Sequence, residues 1–185
     1  MDDRDLRYLR RCVDLAAEAV DAGDQPFGSI LVSAEGDMLF EDRNRTGGGD
    51  ATRHPEFAIV RWAAEHLSPD ERRSATVYTS GEHCAMCAAA HGLAGMGRII
   101  FATSTVQLGA WLDELGRPPL GIAPLRITDV VPDAQVDGPV AAFADEVRAL
   151  QARASVSVAA ANTWGGRGLD RQSVRVDVRG DLAGG

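Results

Sequence analysis

RHPEFAIVRWAAEHLSPDERRSATVYTSGEHCAMCAAA, residues 53–90, reads as helix, strand and helix, with reactive side chains at both helix starts. His54-Pro55-Glu56 opens the first helix, Pro55 to about His66, because proline is tolerated where the N–H has no partner inside the helix. Ala75 to Thr79 is rich in β-branched residues and reads as a strand. Ser80 to His83 turns into a further helix, Cys84 to Gly95. An imidazole and two thiols suit zinc, and a Cys-x-x-Cys pair brings both sulfurs to one ion from a single helical turn. At a helix start both thiolates meet the positive end of the helix dipole. Structural zinc sites close with four protein ligands, whereas catalytic ones leave a position to water. Candidates for a fourth ligand are few: the remaining His residues are His66, His83 and His91, and the only other Cys is Cys12. Glu56, two residues after His54, is placed to handle protons on a water. His54, Cys84 and Cys87 therefore read as an open, catalytic zinc site. A redox reading of Cys-x-x-Cys leaves His54-x-Glu56 without a purpose.

Working outward, Leu6, Leu9, Val13, Ala16, Ala17 and Val20 recur at helical spacing, so Asp5 to Ala22 is an amphipathic helix with Cys12 as a small core residue. Pro26 to Val32 and Met38 to Glu41 form a hairpin around a turn at Ser33 to Asp37. Thr46 to Arg53 is a Gly-rich loop without the spacing of a phosphate cradle. Ser68 to Arg73 reads as a polar connection. Arg98 to Ala102 is a fourth strand and Leu125 to Val131 a fifth, separated by a short helix from Thr105 to Leu115. Pro139 to Arg153 carries a last stripe of Val140, Phe143, Val147 and Leu150. Alternating strands and helices from residue 75 onward imply βαβ crossovers. Residues 1–153 thus form one domain, and 154–185, rich in Gly, Ala, Ser and Arg, reads as a disordered tail.

His-x-Glu followed by Cys-x-x-Cys resembles the zinc-dependent cytidine/deoxycytidylate deaminase superfamily, whose signature has His, Cys and Cys as ligands and Glu as a proton shuttle. Pro26-Phe27-Gly28 and Asn44 fall in the family's order, and the resemblance runs from Leu6 to about Leu150. It is nearest to guanine deaminases and tRNA adenosine deaminases. It implies a three-layer α/β/α fold with a mixed five-stranded sheet and a hydrolase that releases ammonia from an aminated ring. Within it, Glu56 is the catalytic residue, His54, Cys84 and Cys87 hold Zn2+, Asn44 hydrogen-bonds the base, and Phe27 lies beside the substrate ring. The same Phe27 also reads as simple core, and Asn44 as a turn residue. A homodimer is implied as well. Two positions depart from the family pattern. His83 stands where Pro usually precedes the first Cys; it reads as a pocket-rim substrate contact, a second proton carrier or a solvated turn residue. Pro55 stands where Ala is commoner, which removes an amide that relatives use to hold a base carbonyl.

The composition bears on substrate and setting. The chain of 185 residues has a net charge of −8 and contains no lysine, which disfavours a large nucleic-acid footprint. Arg43, Arg45 and Arg53 could still form a small positive rim. Three Cys do not make a disulfide framework, the N-terminus lacks a secretory signal, and no apolar run spans a bilayer, so the expected setting is cytoplasmic. The first expectation is a deaminase of a free nucleobase or related heterocycle, guanine foremost. The alternatives are a tRNA-specific adenosine deaminase and a non-catalytic zinc-stabilised module.

Overall fold

β1 (Gly28–Val32) is buried at every position, which makes it the interior of the sheet and not an outer hairpin strand. In this computed structural model, which describes residues 1–118 and 121–161 with side chains through 154, β1 pairs antiparallel with β2 (Met38–Arg43) and β3 (Thr76–Gly81). β3, β4 (Arg98–Thr103) and the short β5 (Val136–Asp137) run parallel, giving the order β2-β1-β3-β4-β5. This is the mixed five-stranded sheet the sequence implies.

Strand alternation sorts the core into two layers. Ile30, Val32, Tyr78, Ile100 and Ala102 face α1 (Asp3–Asp21), α5 (Thr105–Glu114) and α7 (Ala144–Ala161). Leu31 and Val77 face Ile59, Val60 and Ala63 of α2 (Pro55–His66). Ile99 and Phe101 meet Ala88 of α4 (Ala85–Leu93) and Ile127 of α6 (Ile127–Val130). Each fully buried Leu or Ile contributes about 1.5–3 kcal/mol. Gly28 is required by contact: a Cβ there would lie 2.4 Å from Leu15 Cβ and 2.5 Å from the Cys12 carbonyl, so α1 packs directly on the strand. Cys12 is fully buried, as its place beside the apolar stripe predicts.

Several boundaries differ from the sequence reading, each for a local reason. α1 begins two residues earlier, at Asp3, because Asp2 accepts from the Arg4 and Asp5 amides while Asp5 returns a bond to the Asp2 amide. Ser68 to Arg73 is not a polar connection. It carries α3 (Pro69–Ser74), opened by a Ser68–Glu71 capping box with proline in the first turn. The expected strand from Leu125 to Val131 is α6 instead. A short apolar run cannot be told from a buried helical turn by pattern alone. Here Asp129 accepts from the Arg126 amide, and Ile127 is buried at 1 % exposure. The edge of β4 goes to a later segment: the Ile99 amide donates to the Gln135 carbonyl at 2.9 Å, next to β5. The last helix begins after a 3-10 turn at Ala141–Phe143 and continues past Arg153 to Ala161, so the expected domain boundary falls inside a helix. The remainder of the expected tail, 162–185, lies outside the described residues. Among the described residues no helix is long and apolar enough to cross a membrane.

Candidate metal centre and active site

Two helix starts and one strand end converge. His54 is the N-cap residue of α2, with extended backbone, so its ring sits outside the first turn. β3 ends at Gly81, and Cys84 is the N-cap residue of α4. Cys87 lies one turn into that helix, fully buried. The Nδ1 of His54 is 3.7 Å from Cys84 Sγ and 3.6 Å from Cys87 Sγ. The three ligand atoms lie within 4.8 Å of one another, and among the described residues this is the cluster of His, Cys, Asp and Glu side chains that could hold a metal ion. The donor set, one imidazole and two thiols at helix starts, fits zinc.

The electrostatics favour cation binding. The two thiols share a proton. Cys84, supported by Cys87 and then by His54, is pushed down to about 4, while Cys87 is pushed up by that same hydrogen bond and by burial. His54 is raised by its contact with Cys84, and further by the negative Glu56.

Glu56 occupies the second position of α2 at 4 % exposure. Burial raises its pKa against the opposing pull of His54. One carboxylate oxygen, Oε1, accepts from Thr79 Oγ1 at 2.8 Å and from Ser29 Oγ at 3.2 Å, and the two hydroxyls lie 2.9 Å apart. Oε2 is left towards the metal triad, 3.9 Å from Cys87 Sγ. Ser29 and Thr79 are register partners across β1 and β3, so the sheet itself builds this clamp. The sequence reading missed both. A signal existed only for Ser29, the single hydroxyl in β1; β3 carries hydroxyls at Thr76, Tyr78, Thr79 and Ser80, so nothing in it singles out Thr79. Ser29→Ala and Thr79→Val together should leave zinc content unchanged and lower kcat about 10-fold or more, since loss of carboxylate orientation weakens proton transfer. Metal analysis beside steady-state kinetics checks this, and Thr79→Ser should restore most of the rate.

Asn44 follows β2 and is buried at 2 % exposure, with no partner for its Oδ1. Its amide donates to the Phe27 carbonyl at 2.9 Å, which ties the two expected substrate-side residues together. The Arg45 amide donates to the Arg53 carbonyl at 3.1 Å, closing the Gly-rich loop so that Asn44 and His54 each adjoin the pinch. Phe27 is half-buried and its ring lies against Gly81, where a Cβ would meet Phe27 Cε1 at 2.9 Å. A side chain at residue 81 would displace that ring.

His83 is buried at 1 % exposure and meets His91 edge-on, with ring centroids 5.4 Å apart. Burial first, and repulsion from His91 second, hold its pKa well below the ordinary value. His91 donates Nε2–H to the Gly97 carbonyl at 2.8 Å, because a carbonyl only accepts; its Nδ1 and both His83 nitrogens have no partner among the described residues. This burial corrects the reading of His83 as a solvated turn residue. Of the positive rim, Arg43 and Arg45 are paired with Asp24 and Asp42 at 2.9 Å each.

An α/β/α sandwich with a His-Cys-Cys triad at two helix starts and a buried carboxylate beside it defines a zinc-dependent hydrolytic deaminase. Residues 2–103 match the zinc-binding region of cytidine and deoxycytidylate deaminases, and the chain belongs to that family. It is 35% identical over 123 residues to a probable cytosine deaminase of Schizosaccharomyces pombe, a match that covers 66% of this chain and 75% of that protein. It is 38% identical over 82 residues to guanine deaminase of Bacillus subtilis, covering 43% of this chain and 52% of that one. A tRNA-specific adenosine deaminase of Agrobacterium fabrum is 35% identical over 97 residues, covering 50% and 63%. The chain thus spans about half of the guanine deaminase and under two thirds of the adenosine deaminase. Among solved structures, guanine deaminase from Nitrosomonas europaea shares the fold, with a TM-score of 0.62 at 17% identity over 80% of this chain and 83% of that one.

Proposed function

We propose that this chain deaminates a free aminated nucleobase or a related heterocycle, with guanine the first compound to test. The carrying observation is the buried Glu56, clamped at Oε1 by Ser29 and Thr79 and directed by Oε2 towards the triad of His54, Cys84 and Cys87. His54, Cys84 and Cys87 would hold a zinc ion, which would supply a Lewis acid able to bring the pKa of water to about 7. Glu56 Oε2 takes one proton from the attacking water and passes it to a ring nitrogen, then takes the second from the added hydroxyl and passes it to the amine; the C–N bond breaks, the ring keeps the oxygen as a carbonyl, and ammonia leaves. Asn44 carries an amide with both donor and acceptor, which matches the edge of a heterocycle, and its buried, unpartnered Oδ1 supports this role. Phe27 flanks the ring.

The preference for a free base over a tRNA anticodon loop rests on charge. A net charge of −8 with no lysine opposes a polyanion, whose affinity comes from phosphate neutralisation. Two of the three arginines near the site are already spent on Asp24 and Asp42. Pro55 offers no N–H to a base carbonyl. The experiment is ammonia release from guanine, cytosine, adenine and their nucleosides beside inosine formation in an anticodon stem-loop. Turnover of a free base is expected. Inosine formation with no free base turned over would replace this proposal with tRNA editing.

A further inference from the structure

Of the three triad residues, Cys87 lies inside α4 and is fully buried. His54 and Cys84 are half-buried N-cap residues, whose carbonyls accept the Ala58 and Ala88 amides at 3.1 and 2.9 Å. Cys84 also ends a segment, Glu82-His83-Cys84, that belongs to neither β3 nor α4. The ties on that segment bear on where its thiol sits.

We propose that Glu82 is a positioning residue of the metal centre, whose carboxylate ties this segment to the starts of α5 and α6 and so holds Cys84 against His54 and Cys87. The proposal rests on the assignment of those three residues as zinc ligands. Oε2 of Glu82 accepts from the Thr105 amide at 2.9 Å, and Oε1 accepts from the Ile127 amide at 3.0 Å. Both amides are the first of their helices, where the N–H has no partner within the helix. One carboxylate therefore satisfies two otherwise orphaned donors, 23 and 45 residues away in sequence, and does so with charge-assisted bonds. The backbone adds a third tie, the Glu82 amide to the Thr103 carbonyl at 2.8 Å, and Thr103 Oγ1 donates to the Ser80 carbonyl at 2.8 Å. The adjoining His83 packs on His91. Residues 80–83 are thereby anchored on both strand and helix sides, and Cys84, next in the chain, meets His54 Nδ1 at 3.7 Å. Without the carboxylate, two buried or half-buried amides lose their acceptor and the segment loses its link to α5 and α6. The ligand most exposed to that loss is Cys84.

A general stabilising role would lower the melting temperature and leave the metal environment alone, so the test reads the metal directly. Apo protein is loaded with Co2+, whose thiolate charge-transfer and d–d bands report sulfur ligation and geometry, and zinc transfer to a chelator is timed in parallel. Glu82→Ala should alter the cobalt bands and release zinc about 10- to 100-fold faster, the range typical of lost outer support at metal sites. Glu82→Gln keeps one oxygen acceptor and should fall between. Ser104→Ala removes the side-chain cap of α5, where Ser104 Oγ accepts the Gln107 amide at 3.2 Å, and should lower stability with wild-type bands and release rate. Cobalt bands that superimpose on wild type in both Glu82 variants, with release within about twofold, would overturn the proposal. If Glu82→Ala does not yield soluble protein, Glu82→Gln decides alone by the same two readings. Wild-type protein that binds neither cobalt nor zinc would instead sink the ligand assignment, and the role of Glu82 with it.

Discussion

Glu56→Gln is expected to keep one zinc per chain and to lose turnover by about 100- to 10,000-fold, the usual contribution of a positioned proton-transfer group. The substitution is nearly isosteric. It keeps an oxygen for Thr79 Oγ1 and Ser29 Oγ, which hold Oε1 at 2.8 and 3.2 Å, so the side chain should stay in place. What it loses is a site on Oε2 that can take up and release a proton. KM should change little, because Glu56 is assigned to proton movement and not to holding the ring. Folding should also be spared. The native carboxylate is buried and its charge is opposed by desolvation, so a neutral amide removes that cost. Metal analysis by mass spectrometry and ammonia release from the best base of the substrate panel make the measurement. Activity within a few-fold of wild type would mean that another group carries the proton. His83 is badly placed for that, being buried against His91.

Cys87→Ala should abolish zinc binding and lower the thermal midpoint by roughly 10 °C. Cys87 is fully buried, and its sulfur is 3.6 Å from His54 Nδ1. Its loss leaves two ligands, both at helix caps, which cannot close a stable site. Metal bound only to the folded chain stabilises by mass action, about 4 kcal/mol when free metal is 1,000 times its dissociation constant. For a domain of this size each kcal/mol is worth about 2–4 °C. The same fall should follow from stripping wild-type protein with a chelator, and the two effects should not add. A Cys87→Ala protein that still binds one zinc would remove Cys87 from the ligand set. A midpoint well below that of stripped wild type would mean that the residue acts through packing beyond its metal role.

The parts of the site legible in the sequence are those whose chemistry is local. Pro55 at a first helical turn, the Cys-x-x-Cys spacing, and the residue types of His54, Cys84 and Cys87 all report on a few neighbouring positions. Those neighbours suffice to place thiolates at a helix start. The apolar stripe of α1 and the burial of Cys12 follow from helical periodicity in the same way. The short elements were harder. α3 was hidden although its Ser68-x-x-Glu71 cap lies in plain view, because its residues are polar all round and the apolar pattern is silent there. α6 lies inside the segment expected as the fifth strand, and β5 falls later, because a short stretch of mixed apolar and polar residues suits a strand or a buried turn equally well. The choice was made by which segment reached the β4 edge.

His54, Cys84 and Cys87 were determined as a candidate zinc triad by residue type and spacing alone, and so was Glu56 as its companion. The tertiary structure decided everything that depends on register between distant segments. Ser29 and Thr79 clamp Glu56 because β1 and β3 pair at that position. Glu82 reaches Thr105 and Ile127 because the sheet order brings α5 and α6 beside the end of β3. His83 is buried, with the His91 ring edge-on against it. A hydrogen bond or a burial of this kind costs nothing to write into a sequence and leaves no periodic mark there. It becomes visible only when the chain has closed on itself and fixed which backbone faces which.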